Sequence, residues 1–299
     1  VSEVGVIGAG AVGQSLSTLL LTTRWCESVV VTSGSGGSAA GLVADLDDMR
    51  EVTGSPVRVV HGDLERMASC DAVVVCPRAE FTNRASSDIR MAGLAANGPL
   101  IAAMGREFVG YRGAVIVVTN PVDVMSRLFA ATSGCDRVFG VGSNTDTARY
   151  RLILARLLAV PTSAVAGHVI GEHGDHAVIC ASSTTVNGQH VPVPLQAVRD
   201  ELAARPRRIS SGIGRTRCGP AGATLAALEH ALGHTDGVIE LSAPWRGEWL
   251  GIPLRFTTGH PTVCIPPLDP GETRQLDAAA SKIRSAYDQL HQTIKETTA

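Results

Sequence analysis

The chain has 299 residues, 44% hydrophobic and 18% charged, with a formal net charge of −2. That length holds one large or two ordinary domains with a sizeable core. The near-neutral balance leaves no polybasic surface for nucleic acid, 4% aromatics give little base-stacking surface, and no stretch reaches the roughly 18 apolar residues of a membrane span.

In chain order, EVGVI (3–7), SVVVT (28–32), VRVV (57–60), DAVVVC (71–76), AVIVVTN (114–120) and RVFGVG (137–142) read as strands. Most are continuously apolar, as strands buried on both faces of a parallel sheet must be. Helical patterns lie between them at 11–24, 38–52, roughly 84–110 and 122–132, with Pro121 suited to a helix's first turn. The alternation predicts an α/β fold, a doubly wound parallel sheet of the Rossmann type. Beyond a seam at Gly134 to Asn144, a helix at 146–159 precedes AVAGHVIG, AVICASSTTVNGQ, GVIELSA and PTVCIPP, which read as antiparallel strands. Helices at about 194–213, 219–233 and 270–296 surround them. The expected division is a dinucleotide-binding domain at 1–142 and an α+β catalytic domain at 143–299.

The apolar start is broken by glycines and lacks a basic leader region, so it reads as structure and not as a signal peptide. Seven cysteines, scattered without a CxxC pair, point to reduced thiols in the cytosol and not to a disulfide frame or zinc site.

VGVIGAGAVG sets Gly8, Gly10 and Gly13 in GxGxxG spacing, after a strand and at the opening of a helix. The spacing suits a tight turn, close backbone approach to a pyrophosphate, and a helix N-terminus that offers N–H groups to phosphate. In this context it points to a dinucleotide held at Gly8, Gly10, Ala11, Val12 and Gly13; a purely structural turn is the alternative. At the end of the second strand, where a carboxylate normally grips the ribose hydroxyls of NAD, stand Thr32, Ser33 and Gly34. The next acid along the chain is Asp45, inside the next helix.

Four further segments share no local logic. They are TNRASSDIR (82–90), TNPVD (119–123) at the end of a strand, NTDTAR (144–149) and GEHGDH (171–176). Beside GxGxxG, the last three in this order make the chain similar to the L-lactate/malate dehydrogenase family of 2-hydroxy-acid dehydrogenases over nearly its whole length. The resemblance implies an oxidoreductase that transfers hydride between a nicotinamide cofactor and an L-2-hydroxy/2-oxo acid. It makes His173 the proton donor and acceptor, a role that imidazole fills in both directions near neutrality. Asp146 then fixes the ring tautomer. Arg149 grips the substrate carboxylate through two parallel hydrogen bonds. Arg84 polarises the substrate carbonyl. Asn120 holds the nicotinamide ribose and touches substrate. The family also implies a homodimer or homotetramer, formed through the helix after the second strand and the second domain. His176 with His173 gives H-x-x-H without a further ligand cluster, so no metal is expected.

The chain departs from the family in three places. The segment from Val75 to Arg84 is about three residues shorter than the family's mobile loop. The residue that separates lactate from malate enzymes is therefore open among Arg78, Glu80 and Phe81, where Arg78 favours a second carboxylate and Phe81 an apolar side chain. Arg217 falls where the family presents a small residue or threonine, and it points to solvent or meets an anionic substrate group. Without a carboxylate, the Ser/Gly turn keeps hydroxyls at Ser33, Ser35 and Ser38 and backbone N–H groups. It leans to NADP over NAD, although no Lys or Arg lies between Trp25 and Met49. These departures leave room for a specialised 2-oxo acid, and for a cofactor-binding protein with little or no dehydrogenase activity.

Overall fold

The computed structural model describes residues 1–82, 88 and 90–298. Strands β1 (Ser2–Ile7), β2 (Cys26–Thr32), β3 (Arg58–His61), β4 (Ala72–Val75), β5 (Ala114–Val117) and β6 (Val138–Gly140) pair in parallel in the order β3-β2-β1-β4-β5-β6. Val4, Val6, Val29 to Val31 and Val73 to Val75 are fully buried. Each such side chain contributes roughly 1.5–3 kcal/mol, enough to hold strands of only four residues in the sheet. Helices α1 (Ala11–Leu20), α2 (Gly36–Thr53), α3 (Leu64–Met67), α4 (Leu94–Glu107) and α5 (Val122–Ser133) make the crossovers. Strand order reverses beside β1, so a crevice opens outside the carboxyl ends of β1 and β4.

The second half adds α6 (Ser143–Leu157), β7 (Val165–Ala166), β8 (Val169–Gly171), β9 (Ala177–Ile179), β10 (Thr185–Val186) and β11 (Gln189–His190). Then come α7 (Leu195–Ile213), α8 (Cys218–Ala231), β12 (Gly237–Trp245), β13 (Glu248–Thr257), β14 (His260–Val263) and α9 (Pro270–Thr298). β12 pairs antiparallel with β6 through Ser242 and Gly140, so the sheet continues as β6-β12-β13-β8-β9, and β14 pairs with β13. The two halves are therefore joined by one sheet. β7, β10 and β11 form a separate small sheet.

The sequence expectations differ from the structure in four elements. α1 ends at Leu20, where the Thr22 and Thr23 hydroxyls donate back to the carbonyls of Leu19 and Leu20 and close the last turn. Of the helix expected from about 84, residues 84–87 and 89 lie outside the described residues; Asp88 at φ 47 is not helical, and α4 begins at Leu94 after a 3-10 turn at 91–93. PTVCIPP is a strand only to Val263, since Pro266 and Pro267 cannot donate to a ladder. β13, the longest strand, has no clear sequence signal. Gly251 and Pro253 break its pattern, and it forms because β12 pairs along its length. Among the described residues, no helix is long and apolar enough to cross a membrane, and the seven cysteines are free thiols.

Candidate active site

The phosphate cradle is built from backbone. Gly8 adopts φ +118, which a side chain would strain, and a Cβ on Gly13 would lie 1.9 Å from the Gly8 carbonyl oxygen. Those two glycines satisfy the turn itself. Gly10 is different, because a Cβ there would meet nothing within 4 Å, so the turn stands open above it. Gly10 caps α1 without a side-chain hydrogen bond, and no acid occupies the helix's first turn with Ala11 and Val12. Across the crevice, the Asn120 side-chain oxygen is buried with no partner among the described residues. Open N–H groups at one end and an unpaired buried acceptor at the other fit a dinucleotide lying between them.

At the end of β2, the hydroxyl oxygens of Ser33 and Ser38 lie 2.6 and 2.9 Å from the Ser35 carbonyl oxygen and 2.6 Å from each other, so two protons serve three contacts. Thr32 closes the strand, and exposed Gly34 carries the turn away from it.

His173 is the centre of the second constellation. Its Nδ1 lies 2.6 Å from Asp146 Oδ2, while its backbone N–H donates to Asp123 Oδ2 at 2.8 Å. The ring packs on bare backbone, since a Cβ on Gly142 would fall 2.5 Å from His173 Cγ. Asp146 sits in the first turn of α6, where a helix N-terminus favours an anion. Its other oxygen, Oδ1, takes Arg149 Nη1 at 3.2 Å and Arg90 Nη2 at 3.8 Å. All three of His173, Asp146 and Arg149 are largely shielded from solvent.

The electrostatics follow from this crowding. Burial alone would raise the Asp146 carboxyl, but the charges of His173, Arg90 and Arg149 outweigh it and hold the group well below the usual carboxylate range. His173 is pushed below its ordinary value, first by burial and then by the nearby Arg90 charge, against the pull of Asp146. Asp123 is raised to about 7, chiefly by burial, with the Glu172 and Asp146 charges adding to it. The Ser242 hydroxyl and the His173 N–H act in the opposite direction.

Of the arginines expected here, Arg149 joins the group and Arg84 lies outside the described residues. The loop arginine beside Asp146 is Arg90, six positions after Arg84 in TNRASSDIR. Arg78 stacks its guanidinium 4.2 Å above the Phe81 ring, so those two candidates for the discriminating position occupy each other. Glu80 is exposed. Arg217 caps α8 and donates from Nη2 to the Ile213 carbonyl at 2.8 Å, with Nε buried and unpaired.

Two residues outside the motifs matter as much. Asn97, buried on α4, accepts from the Ala79 N–H at 2.9 Å and donates to the Asn120 carbonyl at 2.7 Å. It ties the segment after β4 to the segment after β5. Its sequence signal is an amide in an otherwise apolar helix. Lys282 of α9 reaches Glu172 Oε1 at 2.7 Å and Asp88 Oδ2 at 2.6 Å. His176 Nδ1 lies 3.4 Å from Glu172, and among the described residues no cluster of three or more His, Cys, Asp or Glu side chains could hold a metal.

Comparison with known proteins agrees with this architecture. Residues 2–140 match the model of the lactate/malate dehydrogenase NAD-binding domain. The L-lactate dehydrogenase of Lactobacillus delbrueckii subsp. bulgaricus is 31% identical, over 96% of this chain and 99% of that one. The malate dehydrogenase of Anaplasma marginale is 29% identical, over 97% and 98%. Among solved structures, the malate dehydrogenase of Salinibacter ruber superimposes with a TM-score of 0.86 at 25% identity, covering 99% of both chains. The minor L-lactate dehydrogenase of Enterococcus mundtii shares the fold at a TM-score of 0.88 and 23% identity, covering 96% of this chain and 98% of that one. The chain belongs to the lactate/malate dehydrogenase family.

Proposed function

We propose that the protein catalyses reversible hydride transfer between a nicotinamide dinucleotide and an L-2-hydroxy/2-oxo acid. The observation that carries this reading is the convergence of His173, Arg149 and Arg90 on the single carboxylate of Asp146. When bound, the nicotinamide supplies or accepts the hydride. The chain's residues do the rest. Arg149 anchors the substrate carboxylate with its forked donors. Arg90 faces the carbonyl oxygen and stabilises the negative charge that develops there. His173, with Nδ1 committed to Asp146, hands its Nε2 proton to that oxygen in reduction and takes it back in oxidation. Asp146 balances the imidazolium, as the acid of a catalytic triad does. Asn120 offers its unpaired oxygen to the cofactor ribose.

We infer NAD(H) as the cofactor, with NADP admitted. No Lys or Arg lies between Trp25 and Met49 to pair with a 2′-phosphate, while no carboxylate at Thr32, Ser33 or Gly34 repels one. We also infer two lobes, 1–142 for cofactor and 143–299 for substrate, in a homodimer. A groove of about 690 Å³ between α6, α7 and α8 is lined by Arg205, Arg217, Leu152 and Ile213, while exposed Asp45, Asp48 and Glu51 give α2 the opposite charge. Light scattering should give twice the 31.1 kDa subunit mass; one subunit mass would refute the dimer.

Steady-state assays with a panel of 2-oxo acids test the activity. Turnover of at least one member, lost in His173→Ala, is expected. Cofactor binding without turnover or a ternary complex with any panel member would instead favour a binding protein.

A further inference from the structure

The two groups proposed to act on the substrate oxygen come from unrelated segments. His173 follows β8, whereas Arg90 ends the loop after β4. Both segments are held by one ammonium group. Lys282 Nζ lies 2.7 Å from Oε1 of Glu172, the residue before His173, and 2.6 Å from Oδ2 of Asp88, two residues before Arg90. Glu172 is almost completely buried, with a side-chain exposure of 3%, so its carboxylate needs this partner. Asp88 is less shielded and sits at φ 47, in left-handed backbone that Asp adopts more readily than most non-glycine residues. Its N–H donates to Asp175 Oδ2 at 2.9 Å, and the Met91 N–H returns to the Asp88 carbonyl at 3.0 Å.

We propose that Lys282 is a positioning residue. Its ammonium straps Asp88 to Glu172 in the turn before His173, and so sets the placement of Arg90, two residues after Asp88, relative to His173. The inference rests on the dehydrogenase reading and adds to it a residue on the last helix that touches no substrate. The groups facing the ammonium are Glu172 from the β8 turn and Asp88 from the loop, with Asp175 and His176 beside them. Neutralising Glu172 alone would need only one arm. The second arm, to Asp88, is what couples the loop. A pair of arms also makes the length of the lysine matter, because misplacement by about 1 Å at a reacting group costs on the order of 100-fold in rate.

The test uses three variants of the full chain: Lys282→Met, Lys282→Arg and Asp88→Asn. kcat and KM for the best 2-oxo acid are measured at saturating cofactor, together with hydrogen exchange at the Asp88 and Met91 amides. Lys282→Met should lower kcat by on the order of 10- to 100-fold with a smaller change in KM, because Arg149 still holds the carboxylate. Lys282→Arg should recover most of the loss. Asp88→Asn, which leaves the Glu172 pair intact, should lower kcat in the same direction, and both loss variants should speed exchange at the two amides by about tenfold. Full kcat in Asp88→Asn, or unchanged exchange in both loss variants, overturns the proposal. A loss of kcat in Lys282→Met that merely follows the unfolded fraction also overturns it. A parent that reduces no 2-oxo acid counts against the dehydrogenase reading, and the exchange rates still decide the strap.

Discussion

His173 Nδ1 and Asp146 Oδ2 face each other across 2.6 Å, and the other oxygen of that carboxylate is shared by Arg149 and Arg90. One buried acid thus orients a base with one edge and two cations with the other. The arrangement explains the direction of both shifts. Asp146 stays ionised because three positive or protonatable groups surround it, and His173 stays neutral to lower pH because burial and Arg90 oppose its charge.

Arg90→Gln should lower kcat for 2-oxo-acid reduction by about 100- to 1000-fold, the usual cost of removing a donor aimed at a developing oxyanion. It should also move the His173 midpoint to higher pH, since the positive charge that disfavours imidazolium is gone. Measuring kcat/KM against pH checks both effects. A midpoint that stays in place or falls would separate Arg90 from His173.

Arg149→Lys keeps the charge but loses the fork. Substrate binding should weaken by about 2–5 kcal/mol while cofactor affinity barely changes. Kinetic constants equal to the parent's would move the carboxylate site elsewhere, with Arg217 the first residue to examine.

Asp123 links pH to stability. Its folded value of about 7 lies above the ordinary carboxylate value of about 3.9, so between those limits the folded chain binds the extra proton. The group's contribution to stability is therefore full below about pH 4, falls as pH rises toward 7, and is constant above that. Asp123→Asn removes the titration, so the Tm of the variant minus that of the parent should increase from pH 5 to pH 8. A constant difference would contradict the assignment.

Ser33→Asp restores the missing acid at the end of β2. The ratio of kcat/KM for NADH over NADPH should rise at least about tenfold, or 1.4 kcal/mol, by added grip on the ribose and added repulsion of the 2′-phosphate. An unchanged ratio would mean that the adenosine ribose lies away from this turn.

Much of this was legible in the sequence, and the reasons are local. The valine runs of β2, β4 and β5, short and β-branched, suit buried strands, and Gly8 and Gly13 are required by the turn while Gly10 leaves it open. His173, Asp146 and Arg149 sit in distinctive short motifs. TNRASSDIR carries two arginines that no spacing separates; the fold brings Arg90 near Asp146, and Arg84 lies outside the described residues. Asn97 and Lys282 act through carbonyls and carboxylates far away in sequence, so no spacing announces them. β13 owes its existence to its neighbours in the sheet, which its own glycine and proline conceal.

The most direct test of the account is the pH dependence of kcat/KM in both directions, for a 2-oxo acid with NADH and for the matching L-2-hydroxy acid with NAD. If His173 carries the proton, reduction should fall as pH rises through its midpoint in the free enzyme, oxidation should rise through the same midpoint, and both dependences should vanish in His173→Gln along with most of the rate. Two profiles that share no midpoint, or a His173→Gln variant that keeps the parent's profiles and rates, would contradict it.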